Sequence, residues 1–312
     1  MRQLTILAAV IGLLGLAATW SVTGAPSAST PATKDGLAIR VEQKNPFTHL
    51  EVNRRPNSFQ FAIVSDRTGG RRPGVFSRAV EKINLLQPEF VISVGDLIEG
   101  YSEDPGTWAL EWSEFETKLS RLQMPFFFCP GNHDFSNLPM GREWQRKFGR
   151  SYYDFRYQDC LFVVLNTEDE PQKDREYFFT PEQREWLKQT LENNKDVRWT
   201  FVFLHKPVWS IKPKLPEHTP AALGWDDIEA SLQGRKYTVF SGHNHVYAKT
   251  TRNGMDYYIL ATTGGASTLT GLKDGKFDHF VWITMKDSEP VVANILLDGV
   301  EDKNIRLLTG TK

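Results

Sequence analysis

Cysteine is nearly missing from this chain: Cys129 and Cys160 are the only two in 312 residues, too few for a disulfide framework. An oxidising compartment would permit one bridge. However, Cys129 closes one strand pattern and Cys160 opens another, so two buried, unpaired thiols is the reading. A surplus of charge of either sign is missing too. With 37 basic against 38 acidic residues the formal net charge is −1, which gives no footprint for nucleic acid or an anionic membrane. Arg54-Arg55 and Arg71-Arg72 are only local pairs. No internal repeat is found, and no linker interrupts residues 56–300, so that stretch reads as one domain. Apolar side chains are not lacking: 40% hydrophobic and 12% aromatic residues are enough for a substantial core and argue against global disorder.

Long hydrophobic runs are missing with one exception. Arg2 precedes an uncharged run, Leu4 to Ala18, followed by the small residues Thr23-Gly24-Ala25 and a stretch rich in Pro, Ser, Thr and Ala to about Thr33. A basic start, a short apolar core and a small-residue exit describe a secretory signal peptide over residues 1–25. The expected location is therefore outside the cytoplasm, periplasmic or secreted. Extended through Trp20 the run approaches spanning length, so an uncleaved membrane anchor is the alternative. Residues 26–55 read as linker and N-terminal extension, and residues 301–312 as a C-terminal tail.

Between them the chain alternates strands and helices, which makes it α/β. Short runs rich in Val, Ile and Phe read as buried strands: Phe59–Ser65, Phe90–Gly95, Phe126–Cys129, Thr200–Leu204 and Tyr237–Ser241. Tyr152–Asn166 reads as a hairpin, and strand-like segments recur at Tyr257–Ala261, Phe280–Met285 and Val291–Leu297. Helical spacing links Phe76, Val80, Ile83 and Leu86, and then Trp108, Trp112, Phe115, Leu119 and Leu122. Thr180-Pro181 supplies an N-cap and a first-turn proline for a helix reaching about Asn193.

The polar residues matter because of where they fall. Asp66, Asp96, Asn132 with His133, His205, and His243 with His245 each follow an apolar strand. In open α/β sheets, loops at the carboxyl ends of strands converge on a ligand. Asp, Asn and His together make a mixed oxygen and nitrogen donor set, suited to Zn, Mn or Fe rather than to a soft thiolate-binding metal. Taken singly, a Gly-Asp pair is a turn, Asn-His-Asp a cap and one His a core residue. Together, in order and each at a strand end, they point to a metal site.

The set resembles the motifs of calcineurin-like metallophosphoesterases over about residues 59–247. The matching residues are Asp66, Gly95-Asp96, Gly131-Asn132-His133-Asp134, His205 and Gly242-His243-Asn244-His245. The resemblance implies a four-layer α/β/β/α sandwich, with residues 56–300 as the catalytic domain. It implies two divalent or trivalent ions (Mn, Fe, Zn or Mg) about 3–4 Å apart. Asp96 would bridge them, Asp66 and His245 would complete the first site, and Asn132, His205 and His243 the second. A metal-bridging hydroxide would then hydrolyse a phosphate monoester or diester on a small molecule or a macromolecule. His133, not needed as a ligand, is free to act as general acid. Asp134 either orients it or caps the following segment.

One departure from the family pattern stands out. The first motif needs His two residues after its Asp, and here Asp66-Arg67-Thr68 has Thr68. Purple acid phosphatases lack that His too and use a Tyr three residues after the bridging Asp, the position of Glu99 here. Serine/threonine phosphatases of the superfamily have an Asp there that supports the catalytic His. Glu99 is thus a replacement ligand, a partner of His133 or a solvated loop acid. The loss of the His also leaves a second reading, a non-catalytic metal- or phosphate-binding domain with a degenerate first site. Arg67, Arg71 and Arg72 lie in or beside a Gly-rich loop at a helix start and are candidates to hold a substrate phosphate. Tyr101, Trp108, Phe135 and Trp209 are candidate pocket walls, and His218 lies in a Pro-rich loop at 212–220. His49, His218 and His279 match no motif position.

Overall fold

The computed structural model describes residues 31–34, 37–50, 58–168, 179–210, 219–286, 288–302 and 306. The apolar N-terminal run and His218 lie outside the described residues. Among the described residues no helix is long and apolar enough to cross a membrane.

Two sheets stack face to face. The first has six strands in the order Val300–Asp302 (β14), Pro290–Leu296 (β13), His279–Met285 (β12), Phe59–Val64 (β3), Phe90–Ser93 (β4) and Phe126–Phe127 (β5). The second has eight, ordered Pro31–Lys34 (β1), Leu37–Arg40 (β2), Tyr153–Tyr157 (β6), Cys160–Val164 (β7), Trp199–Phe203 (β8), Tyr237–Ser241 (β9), Met255–Ile259 (β11) and Ala248–Arg252 (β10). Helices Val75–Leu86 (α1), Pro105–Leu119 (α2) and Leu138–Phe148 (α3) cover the first sheet, and Pro181–Asn193 (α4) and Trp225–Ser231 (α5) cover the second. This is the expected α/β/β/α sandwich.

The layering explains why the inner strands are buried at nearly every position rather than at alternate ones. Phe59, Phe61 and Ile63 of β3 enter the core between the sheets, while Ala62 and Val64 face the helices. The inter-sheet core is largely phenylalanine. Phe155 and Phe162 stack with centroids 4.7 Å apart, and Phe61 meets Phe201 edge-on at 5.1 Å. Cys129 and Cys160 are buried and unpaired, as expected, and burial pushes the Cys160 thiol up to about 12.

The core strands β3, β4 and β5 are parallel, as are β7, β8 and β9. Parallel neighbours bring their carboxyl ends to one rim, and that arrangement positions the site.

The flanks depart from the sequence reading. The segment read as linker and extension carries β2, whose Leu37 and Ile39 are buried in the inter-sheet core and whose backbone pairs with β6. The stretch read as a tail contributes Glu301 and Asp302 to β14. Strands this short leave no periodicity to read; β14 is the edge of its sheet, and β2 lies one strand in from the edge of the other.

Candidate metal centre

At the rim each strand stops and the backbone turns sharply. Asp96, His243 and His245 have positive φ of 58°, 73° and 53°, a region non-glycine residues seldom occupy. Such conformations cost on the order of 1–3 kcal/mol each and persist where the surroundings fix them. The glycines beside these residues are required by packing. A Cβ on Gly131 would lie 2.3 Å from Asp96 Oδ1, and one on Gly242 would lie 2.3 Å from Asp66 Oδ2.

The side chains then meet. Ligand atoms of Asp66, Asp96 and His205, all buried, lie within 4.8 Å of one another. His205 Nε2 is 2.8 Å from Asn132 Oδ1, 3.2 Å from Asp96 Oδ1 and 3.2 Å from His243 Nδ1. His245 Nε2 is 3.4 Å from Asp66 Oδ1. The distal nitrogens are held: His205 Nδ1–H donates to Val94 O at 2.8 Å, and His245 Nδ1–H donates to Ala266 O at 2.7 Å. Fixing the far nitrogen is how proteins orient an imidazole towards a metal. The electrostatics agree. Burial alone would push His205 down and Asp96 up. Their mutual attraction reverses both, lifting the imidazole to about 9 and holding the carboxyl well below its usual range. Converging carboxylates, imidazoles and an amide oxygen that attract positive charge this strongly fit a divalent cation.

His133 sits beside this cluster. Its Nδ1–H donates to the backbone carbonyl of Glu99 at 2.5 Å, and Tyr101 packs edge-on against the ring at 4.8 Å. The Glu99 carboxylate points elsewhere, accepting from Arg71 N at 2.7 Å and Gly70 N at 3.2 Å. Burial would raise its pKa. The nearby Thr68 hydroxyl and the two backbone donors outweigh that and hold it below the ordinary value, although Thr68 Oγ1 itself makes no hydrogen bond of good geometry. The Glu99 side chain thus meets the glycine-rich loop, and it is the backbone carbonyl of Glu99 that meets His133.

Asp134 is likewise not the orienter of His133. Its buried carboxylate accepts from Leu97 N, Ile98 N and Gly131 N at 2.8, 3.0 and 2.9 Å, tying two strand-end loops together. The arginines have partners within the chain. Arg67 is buried, donates to Leu97 O at 2.6 Å and to Glu114, and stacks over Phe115 at 5.4 Å. Arg72 donates to Gly265 O at 2.8 Å and Asp278 at 2.7 Å, and Arg71 pairs with Glu114. All three fasten loops, with carboxylates already on their guanidinium groups.

A family model for calcineurin-like phosphoesterases matches residues 59–247, the span that carries every one of these motifs. The chain belongs to that family. Its curated relatives include the serine/threonine-protein phosphatase CPPED1 of Homo sapiens, 27% identical over 247 residues, covering 73% of this chain and 74% of that protein. The Mus musculus protein of the same name is 28% identical, covering 72% and 73%. Among solved structures, a dimetal phosphatase from Danio rerio superposes with a TM-score of 0.58 at 15% identity, covering 78% of this chain and 97% of that one. A yellow lupin purple acid phosphatase gives 0.59 at 14%, covering 82% and 57%. Likeness at that identity speaks for the fold alone. This calcineurin-like chain is a metal-dependent phosphoric ester hydrolase.

Two features of this family member were missed in the sequence. The loop Thr262–Ala266 walls the centre: Gly265 N donates to Asp66 O at 2.9 Å, Thr263 Oγ1 accepts from Ser65 N at 3.1 Å, and Ala266 O holds His245. Its Thr-Thr-Gly-Gly run after a strand was the available signal. Glu168, buried, pairs with Lys206 at 2.8 Å directly beside His205. Glu168 ends a strand-and-turn segment just as the motif acids do, but no family motif marked it.

Proposed function

We propose that the chain is an exported, dinuclear metal phosphomonoesterase acting on the phosphate ester of an aliphatic hydroxyl. Asp66, Asp96 and His245 would hold one ion, and Asp96, Asn132, His205 and His243 the other. Metals at these positions supply Lewis acidity to the attacking water and the phosphoryl oxygens. The residues of the chain do the rest. Asp96, at the meeting point of the two donor sets, would offset part of the repulsion between two cations held there by its own negative charge. His133, with its Nδ1–H on the Glu99 carbonyl, keeps Nε2 for the leaving oxygen, to which it delivers a proton. An alkoxide leaving group needs that proton most, which supports an aliphatic ester. The curated relatives, named as serine/threonine phosphatases, support the same class. The basic start and apolar run at the N-terminus support export.

The observation that carries the reading is the convergence of Asp66, Asp96 and His205 within 4.8 Å at the rim. The test is protein stripped of metal, reloaded with Mn, Fe, Zn or Mg, and assayed on a phosphoserine peptide, p-nitrophenyl phosphate and its bis-ester. Turnover of both monoesters with two ions per chain is expected. One ion and no turnover on any ester would favour the binding-domain alternative, and preference for the bis-ester would overturn the substrate class.

A further inference from the structure

Tyr101 is 63% exposed, yet its backbone has a positive φ of 52°, a region that a bulky side chain rarely adopts. The turn that carries it is fastened through its backbone. Gly100 N donates to Glu111 Oε2 at 2.9 Å, and Tyr101 N donates to Ser136 Oγ at 3.1 Å. Ser102 O accepts from Trp108 Nε1 and from Asn137 Nδ2, each at 3.1 Å. A Cβ on Gly100 would fall 1.7 Å from the carbonyl oxygen of His133, so the turn lies flat against the loop of Asn132 and His133. Strained backbone of this kind persists where its surroundings over-determine it, and it clusters where a side chain has to be aimed. Here the aim is plain. The phenol oxygen accepts from Asn132 Nδ2 at 2.9 Å, and the ring stands edge-on to His133 at 4.8 Å. Asn132 Oδ1 faces the other way, 2.8 Å from His205 Nε2.

We propose that Tyr101 is a positioning residue for the metal centre: by accepting the Asn132 amide N–H it keeps Oδ1 aimed at the ion that Asn132, His205 and His243 would hold. This rests on the donor sets given under the proposed function. A carboxamide has one end that a cation attracts and one that it repels. Asn132 is buried, so its N–H needs an acceptor within the protein, and an amide deprived of one is no longer held in a single orientation. A phenol meets that need without adding a carboxylate that would itself compete for the ion. The fastened turn supplies the rest, because a hydroxyl on a freely moving loop would not fix the amide.

The test uses full-length, zinc-loaded protein dialysed against graded chelator buffers, with the bound zinc counted at each step. Asn132→Ala marks which release step belongs to the ion at Asn132. Tyr101→Phe, which loses the hydroxyl and keeps the ring, is expected to weaken that step ~10–100-fold, the usual cost of removing a partner of a metal ligand. The other step stays at its wild-type value. The denaturation midpoint is expected to stay too, since the side chain is exposed, and excess zinc should restore turnover, which a damaged fold would not allow. Asn132→Asp sharpens the test. A carboxylate has no N–H to satisfy, so Tyr101→Phe in that background should weaken zinc binding several-fold less than it does beside the native amide. Unchanged zinc affinity in Tyr101→Phe overturns the proposal, as does equal weakening of both steps or an equal loss in the Asn132→Asp background. A wild type whose zinc affinity is indifferent to Asn132→Ala overturns it as well. If the wild type turns over no ester, the phosphoesterase reading fails, and the zinc titration still decides the role of Tyr101.

Discussion

His205 and His279 are both completely buried, and their fates are opposite. His205 follows β8 at the rim. There burial pushes its imidazole down, but the Asp96 carboxylate overrides that and lifts it to about 9. His279 opens β12 deeper in the same molecule. Its Nδ1 faces Asn294 Oδ1 at 2.8 Å, its ring packs against Phe277 at 5.0 Å, and burial pulls it down to about 4. Equal burial therefore does not predict chemistry in this fold. The neighbours do: at the rim carboxylates converge, and in the sheet a neutral amide waits. The His205 position attracts positive charge and the His279 position repels it, while at the same rim burial and the neighbouring His205 push His243 down to about 3.

Removing the carboxylate at the centre of the rim should erase that difference, and it carries the largest expected effect. Asp96→Ala deletes the group that meets both His205 and the backbone N–H of His133. Partners of metal ligands alone are worth ~10–100-fold in metal affinity, and a ligand shared by two ions more. Metal content should fall from two per chain towards one or none, measured by elemental analysis. Two retained ions with intact turnover would locate the bridge elsewhere.

His133 lies at the rim without being needed as a ligand, so it separates chemistry from metal binding. His133→Ala should keep its ions and lose ~100- to 10,000-fold in turnover on alkyl phosphates. The loss on p-nitrophenyl phosphate, whose leaving group needs little protonation, should be smaller. Equal losses on both esters would remove the acid role.

The position of a polar residue along its strand was legible in the sequence, and so was the convergence of Asp66, Asp96 and His205, because each follows an apolar run. What the remaining rim residues touch was not legible. Arg67 meets Glu114, and Arg72 meets Asp278, through contacts spanning 47 and 206 residues. No local pattern encodes such pairings. A Gly-rich loop with arginines reads as a phosphate cradle until its guanidinium groups are seen to be occupied. Asp134 and Glu99 differ from Asp66 and Asp96 in the direction their carboxylates point, towards backbone N–H groups of neighbouring loops, which tertiary packing decides. The edge strands were hidden for another reason: runs of three or four residues hold too few positions to display a period of two.

The rim also depends on two glycines, and they are unequal. A Cβ on Gly131 would meet the backbone nitrogen of Asp96 at 2.4 Å, an atom that cannot swing aside. A Cβ on Gly242 meets only side-chain atoms, those of Asp66 and Ser65, which are buried and hydrogen-bonded but are not backbone. Gly131→Ala should therefore cost more of the ~1–3 kcal/mol typical of overpacking than Gly242→Ala, read as the difference in denaturation midpoint. It should also displace the shared ligand, whereas Gly242→Ala should affect the ion held by Asp66 alone. Equal destabilisation would mean that the Asp96 loop yields as easily as a side chain.

The smallest effect on activity should come from the histidine in the sheet, and its signature is a slope. With a folded-state value of about 4 against 6.5 unfolded, His279 is neutral in both states above pH 6.5, where its contribution to stability is fully present. Between about pH 6.5 and 4 the unfolded chain takes up a proton that the folded chain refuses. Stability from this residue therefore falls as the pH falls, by at most ~1.4 kcal/mol per pH unit. His205 in the metal-free chain works in the other direction: its contribution is full below pH 6.5 and is lost as the pH rises through about 9. The two windows do not overlap, so they can be read separately. His279→Gln keeps a polar group opposite Asn294 and has no proton to take up. Chemical denaturation from pH 7 to pH 4.5 should show a shallower loss of stability in the variant than in the wild type, with turnover at neutral pH almost unchanged. Parallel slopes would mean that His279 is protonated in the folded state, and that the sheet interior tolerates charge as the rim does.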